Sequence, residues 1–569
     1  GQEEVLRQFL KTYGYTDEEV SDYISGPAYF AWFYMQNLDS FGGPLPQAWY
    51  EQRTELGRKL HDRMQAYGID PVIQGFSGMV PYDFAEKANI SANQVLDVGD
   101  WPGYKRPYML RTHKSGINEV SDIYSEAAQR FYQAQKDVFG DVSNYYAVDP
   151  FHEGGTIPGD MNIQYVYYQV QEQMLKHDKG NDAIWVMQQW QGGISAGKLN
   201  GLKDKNKAIV LDLQSDMRSQ AGPMENTGTP WIWNMLHNFG GRMGMDGEVE
   251  VIASAIPEAM NNSRYMVGIG ITPEAIENSP IVYELLFDMT WQKDPINYKE
   301  WTYQYAQRRY NIDRNNQSVI DDINTAYDIL LNTVYEDKDY YIQGAAESVV
   351  NARPGTSFSS ASTWGHSTIS YEKTELEKAV ALFAAHYDEL KGSPAFVYDF
   401  AELLEQVLSN TAVEYHKLMV QAYQNKDAQE FDRISAHFLD LIALSDEVLS
   451  TSEKFMLGTW IENARTMLDS DTYQMDDWSR DLFEFNARAL LTTWGAAKNG
   501  SLKDYSNRKW SGLTEDFYLQ RWTIWVNNRK AELAGAQATN PNWFLWEWKW
   551  ANQKNDDGKF GTTPDTTVN

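Results

Sequence analysis

The sequence predicts an α/β barrel followed by an all-α region, and three observations carry that expectation. From about residue 50 to 290, short apolar runs alternate with helical patterns. After about residue 290 a helical rhythm continues with no strand-like run to interrupt it. At 569 residues the chain is also too long for one ordinary compact domain. We therefore expect a (β/α)8-type barrel over 1–290 and an all-α C-terminal domain over 291–569.

The strand candidates are 69–78, 145–150, 183–190, 207–213, 229–236 and 264–271. They are nearly continuous in apolar residues, as parallel strands covered on both faces should be. Helical stretches over 125–140 and 164–177 separate several of them. Strand, helix and strand repeated this often favour a barrel over a doubly wound sheet. Six candidates are two short of a complete barrel. Either two strands escape the pattern, or the opening strand is missing from this chain. In the second half, Leu376, Val380, Phe383, Tyr387 and Leu390 follow a four, three, four, three spacing, and Phe396, Phe400, Leu403 and Val407 continue it. The segment 391–396 punctuates two helices, and the polar tail 555–569 reads as a frayed end or a linker to a further module.

Composition excludes several functions. Net charge is −30, from 49 basic and 79 acidic side chains, a field that repels phosphate backbones and anionic headgroups. Nucleic-acid and membrane partners are therefore not expected. With no cysteine, disulfides, zinc-thiolate sites and thiol nucleophiles are ruled out. No apolar run reaches the roughly 20 residues of a membrane helix. The first residues, GQEEVLRQFL, are acidic and amphipathic rather than a signal peptide, and read as a chain that begins inside a domain. The 20 Trp, 35 Tyr and 23 Phe fill cores and can also stack on sugar rings.

Barrel chemistry sits at the C-terminal ends of strands, so polar residues that end an apolar run are the candidates. Glu153 follows YYAVDPFH and Glu274 follows RYMVGIGITP. A carboxyl pair is what glycosidic cleavage needs: one acid for the leaving oxygen, one carboxylate to attack or to activate water. Glu274 has a competing reading, because Thr272-Pro273-Glu274 also resembles a helix start. Gly154 and Gly155 after Glu153 suggest close backbone approach instead of a helix. Asp149 is either a turn residue or part of a pocket floor. His152 and His237 do not form a metal motif, so neither metal nor cofactor is expected. Gln188, Gln189, Asp212, Gln214, Asn234 and Asn238 also end strands, and amides of this kind suit a neutral, hydroxyl-rich ligand. GGRMG (240–244) lacks a nucleotide fingerprint, and no G-x-S-x-G elbow is present.

Longer stretches carry a family likeness: 26–46, 65–81, 145–155, 231–241, 266–291, 393–400, 457–465 and 491–510. Together they resemble the α-N-acetylglucosaminidases of glycoside hydrolase family eighty-nine, most of all its bacterial, mucin-degrading members. The resemblance covers nearly the whole chain in order. It implies a small N-terminal domain, a (β/α)8-type barrel and an all-α C-terminal domain, of which the first part and the opening barrel strand have no counterpart here. It also implies that Glu153 is the general acid/base and Glu274 the nucleophile of a retaining enzyme, with carboxyls about 5–5.5 Å apart. Glu153 should then be raised toward neutrality while Glu274 stays ionised.

For the terminal N-acetylglucosamine, the resemblance implies a pocket of Trp101, Asp149, Trp185, Leu213, Leu236, Trp494, Leu502 and Tyr505, shared between the two domains. The family can carry Trp where this chain has Phe41 and His near Ala345, and the loop between Trp494 and Tyr505 is longer than in animal members. The implied activity is exo-acting release of terminal α-linked N-acetylglucosamine from mucin-type or heparan-derived glycans, in a secreted or cell-surface bacterial protein that can bear further modules. The −30 charge disfavours a highly sulfated polymer. A glycosidase of other specificity, an inverting enzyme, and an inactive sugar-binding homologue are the alternatives.

Overall fold

The computed structural model describes all residues except 239, 276, 337–343, 496–501, 556–557 and 568–569. Its centre is a six-stranded parallel sheet: β1 (Val72–Gln74), β2 (Tyr145–Ala147), β3 (Ile184–Gln189), β4 (Ala208–Asp212), β5 (Trp231–Met235) and β6 (Met266–Ile271). The strands are ordered as in the sequence and each pairs in parallel with the next. Each lies within one of the six predicted runs. Simple sequential order follows from right-handed strand–helix–strand crossovers, with helices Asp122–Phe139 and Ile163–His177 as two of the covers. Among the described residues β1 and β6 are edges, so the sheet is an arc of a barrel.

Short antiparallel pieces escaped the pattern reading. Met79–Val80, Val95–Leu96 and Tyr108–Leu110 form a small sheet, and Asp100–Trp101 pairs with Tyr104–Lys105. Pieces of two or three residues carry too little periodicity to be read. Their use is positional, because the Asp100–Lys105 hairpin carries Trp101 to the site.

Beyond residue 290, helices account for the regular structure among the described residues. Ser393 caps the helix Pro394–Gln424 by accepting from the Phe396 amide, with Pro394 at its first position. Asp427 does the same for Ala428–Leu449 through the Glu430 amide. Their apolar faces meet a core in which Phe438, Trp522 and Trp525 stack edge to face. No helix among the described residues is long and apolar enough to cross a membrane.

The tail departs from expectation. Phe560 is buried beneath the Arg488 guanidinium, and the Asp565 amide donates to the Ser450 carbonyl. One apolar ring in a polar segment gives no periodic signal, yet it anchors the described part of 555–569 to the helical domain.

Candidate active site

The two candidate carboxylates leave the same edge of the sheet. After β2 the chain makes a tight turn in which Phe151 and Glu153 take left-handed φ values of 58° and 43°. Each costs about 1–3 kcal/mol for a residue with a side chain, so surrounding contacts must hold the turn. Buried Arg106 does so: Nη1 donates to the carbonyls of His152 (2.9 Å) and Gln36 (3.1 Å), and Nη2 to that of Glu153 (2.6 Å). Gln36 accepts from the Phe151 amide and donates to the Asp149 carbonyl. Asn37 Nδ2 donates to Oε2 of Glu153 at 2.7 Å, and His152 Nε2 lies 3.8 Å from its Oε1. Gly154 adds a further left-handed residue at φ 83°, and among the described residues no atom lies within 4 Å of a Cβ placed there. Backbone conformation, not close approach, therefore explains this glycine.

Glu274 is not part of a helix start. The helix after β6 begins only at Pro280, and the Thr272 hydroxyl accepts from Asn234 Nδ2 at 2.9 Å instead of capping. The Gly240 amide and the Tyr505 hydroxyl donate to the Glu274 carboxylate. Gly240 and Gly241 have φ of 71° and 70°, and a Cβ at Gly240 would stand 2.5 Å from the Tyr505 carbonyl oxygen. The glycine-rich stretch 240–244 thus serves the carboxylate. Water reaches the Glu274 side chain, but protein surrounds it on nearly every side, and that burial pushes its carboxyl up to about 7. The Gly240 amide resists the shift, the charge of Glu153 adds to it, and the Arg242 and Arg508 guanidiniums oppose it.

Trp101, Leu213, Leu236, Trp494, Leu502 and Tyr505 pack in one buried cluster with Tyr29 and Tyr104. Trp494 is its hub, with ring centroids 5.6 Å from Trp101 and 5.9 Å from Tyr505. Trp185 lies apart, fully buried in the barrel core, with its indole N–H donating to the Val148 carbonyl at 2.7 Å. Asp149 is held by the Gln188 amide, and burial raises its carboxyl against the opposing charges of His152 and Lys198. Segment 496–501 of the loop between Trp494 and Tyr505 lies outside the described residues.

Above the cluster opens a cavity of about 800 Å³, walled by Trp101, Asp149, Glu153, Trp190, Trp364 and Tyr505. Asn37, Arg106 and Trp364 were not singled out from the sequence. Trp364 comes from an irregular segment of the second half and meets Trp101 and Tyr505, a contact no local pattern announces.

A parallel (β/α) sheet with two loop-borne carboxylates at its C-terminal edge and an aromatic pocket is the arrangement of a barrel glycoside hydrolase. The family model for the tim-barrel domain of alpha-N-acetylglucosaminidase matches residues 1–293, and that for its C-terminal domain matches 301–567. The chain belongs to the alpha-N-acetylglucosaminidase family. It is 28% identical to human alpha-N-acetylglucosaminidase over 543 residues, covering 92% of this chain and 69% of the human one. A Clostridium perfringens family 89 glycoside hydrolase with two glutamates changed to glutamine, in complex with its substrate GlcNAc-alpha-1,4-galactose, is 53% identical with a TM-score of 0.94. That match covers 100% of this chain and 63% of the clostridial chain. The clostridial enzyme in complex with PUGNAc matches at 54% identity and TM-score 0.94, covering 99% of this chain and 63% of that one. This chain thus spans less than two thirds of the clostridial chains it resembles.

Proposed function

We propose that this chain is the catalytic part of an exo-acting, retaining α-N-acetylglucosaminidase. One observation carries the reading: Glu153 and Glu274, 121 positions apart in the sequence, come close enough in the fold for the charge of Glu153 to raise Glu274. Ionised Glu274, steadied by Gly240 and Tyr505, attacks the anomeric carbon. As the glycosidic C–O bond breaks, Glu153 gives its proton to the departing oxygen. Glu153, now a carboxylate, takes a proton from the incoming water, whose oxygen displaces Glu274.

A terminal α-linked N-acetylglucosamine on a neutral galactose is the substrate this reading favours, since the clostridial relative binds that disaccharide. The net charge of −30 speaks for mucin-type glycans over sulfated heparan-derived chains. Such glycans lie outside cells, so the same reading makes the protein secreted or cell-surface, which fractionation of the producing cells checks. The mechanism is tested by following the anomer released from an aryl α-N-acetylglucosaminide by NMR. Retention releases the α anomer first; early β anomer would mean an inverting enzyme, and no release would mean an inactive sugar-binding homologue.

A further inference from the structure

The catalytic cavity does not end at the loop after β3. A second cavity of about 770 Å³ lies against it, and Gln191, Gly192, Ile194 and Gln214 line both. The two are compartments of one groove, divided by the turn 190–193. That turn is held in place. Gln191 and Gly192 take left-handed φ values of 43° and 79°. The Gly192 amide donates to Gln220 Oε1 at 2.8 Å, and Lys198 Nζ to the Gly193 carbonyl at 2.6 Å. Gln220 is itself fixed, through its amide to Asp212 Oδ2 and through Nε2 to Gln214 Oε1, both at 2.8 Å.

The far compartment combines amides and hydroxyls (Gln191, Gln214, Ser219, Gln220) and the Arg218 side chain with the aliphatic surfaces of Met217 and Pro223. In a chain of net charge −30 its described lining holds no carboxylate. Asp212, behind these residues, is buried and accepts from Ser219 and Gln220. Amide, hydroxyl and guanidinium donors with amide and hydroxyl acceptors over an aliphatic floor match a pyranose ring with its hydroxyl rim and C–H faces. Glu153 stands on the wall of the first compartment, so a chain leaving the cleaved bond has a continuous path into the second.

The geometry points to a second saccharide subsite here, for the reducing-side sugars of a neutral oligosaccharide beyond the ring that leaves. It rests on the reading of the site as a saccharide-cleaving pocket. Two or so net hydrogen bonds correspond to about tenfold in kcat/KM.

The test compares an aryl α-N-acetylglucosaminide, GlcNAc-α-1,4-galactose, and the same disaccharide extended by two neutral hexoses at its reducing end. Gly222 offers the block, because a Cβ there meets nothing within 4 Å and its backbone is not left-handed. Gly222→Trp should place an indole in the far compartment. Wild type should cleave the tetrasaccharide about tenfold more efficiently than the disaccharide. Gly222→Trp should abolish that gain while leaving the aryl glycoside and the disaccharide unchanged. Equal rates for both lengths in wild type, or a gain that survives Gly222→Trp, overturns the subsite. If none of the three is cleaved, it is the proposed reaction that fails. Calorimetric titration of Glu153→Gln with the two oligosaccharides then reads the subsite alone, supported by tighter tetrasaccharide binding that Gly222→Trp removes and overturned by equal affinities.

Discussion

Asn37 Nδ2 donates a 2.7 Å hydrogen bond to the Glu153 carboxylate from a position 116 residues earlier in the chain. Together with Arg106, which ties down the Glu153 and His152 carbonyls, it holds a carboxyl on a backbone that is strained. Positioning of this kind acts mainly on kcat. We expect Asn37→Ala to lower kcat by about tenfold to a hundredfold with little change in KM. Arg106→Lys, which cannot span the same carbonyls, should do at least as much. Steady-state kinetics alongside thermal melting check this; a KM effect, or a loss explained by unfolding at the assay temperature, would refute the positioning role.

The proton on Glu274 sets a pH dependence. Attack needs its carboxylate, and the carboxyl is raised to about 7, so kcat/KM should rise as pH increases through that value. The charge of Glu153 is one cause of the shift. In Glu153→Gln, assayed with an aryl glycoside whose leaving group needs no acid, the acidic limb should therefore move to lower pH. A limb that stays in place would mean that the carboxyls do not sense each other.

Glu402 tests burial without catalysis. Its carboxyl is buried and held by the Ser279 amide, and burial followed by the Asp399 charge pushes it up to about 8. A carboxyl raised on folding stabilises the protein below its unfolded value, and that contribution is lost as pH rises through the folded one. Glu402→Gln keeps an acceptor for Ser279 and has no charge to bury. Its melting temperature should exceed that of wild type at pH 9, by an amount equivalent to a few kcal/mol, and the gap should close toward pH 4. Identical curves at both pH values would contradict the shift.

Trp185 separates sugar binding from packing. Its indole N–H meets the Val148 carbonyl inside the core, and Trp185→Phe leaves that buried acceptor unpaired. The expected result is a stability loss of about 1–3 kcal/mol in urea unfolding, with KM for the aryl glycoside changed less than about twofold. A raised KM at unchanged stability would place Trp185 in the sugar site.

Local pattern was enough for the six parallel strands, for the helical second half, and for Glu153 and Glu274 as strand-end carboxylates. Strands covered on both faces and helices covered on one leave their periods in the sequence, because burial alone selects those residues. The family likeness added roles that periodicity cannot supply. What the Thr272-Pro273-Glu274 triplet does was settled only by folding, since Asn234 engages Thr272 while Gly240 and Tyr505 engage Glu274. The same holds for the Asn37 and Arg106 clamp, for Trp364 over the cavity and for the seat of Phe560. Each joins residues far apart in the chain through one or two contacts. Such contacts impose no repeat on the local sequence, and they exist only once the sheet and the helical domain have brought their loops together.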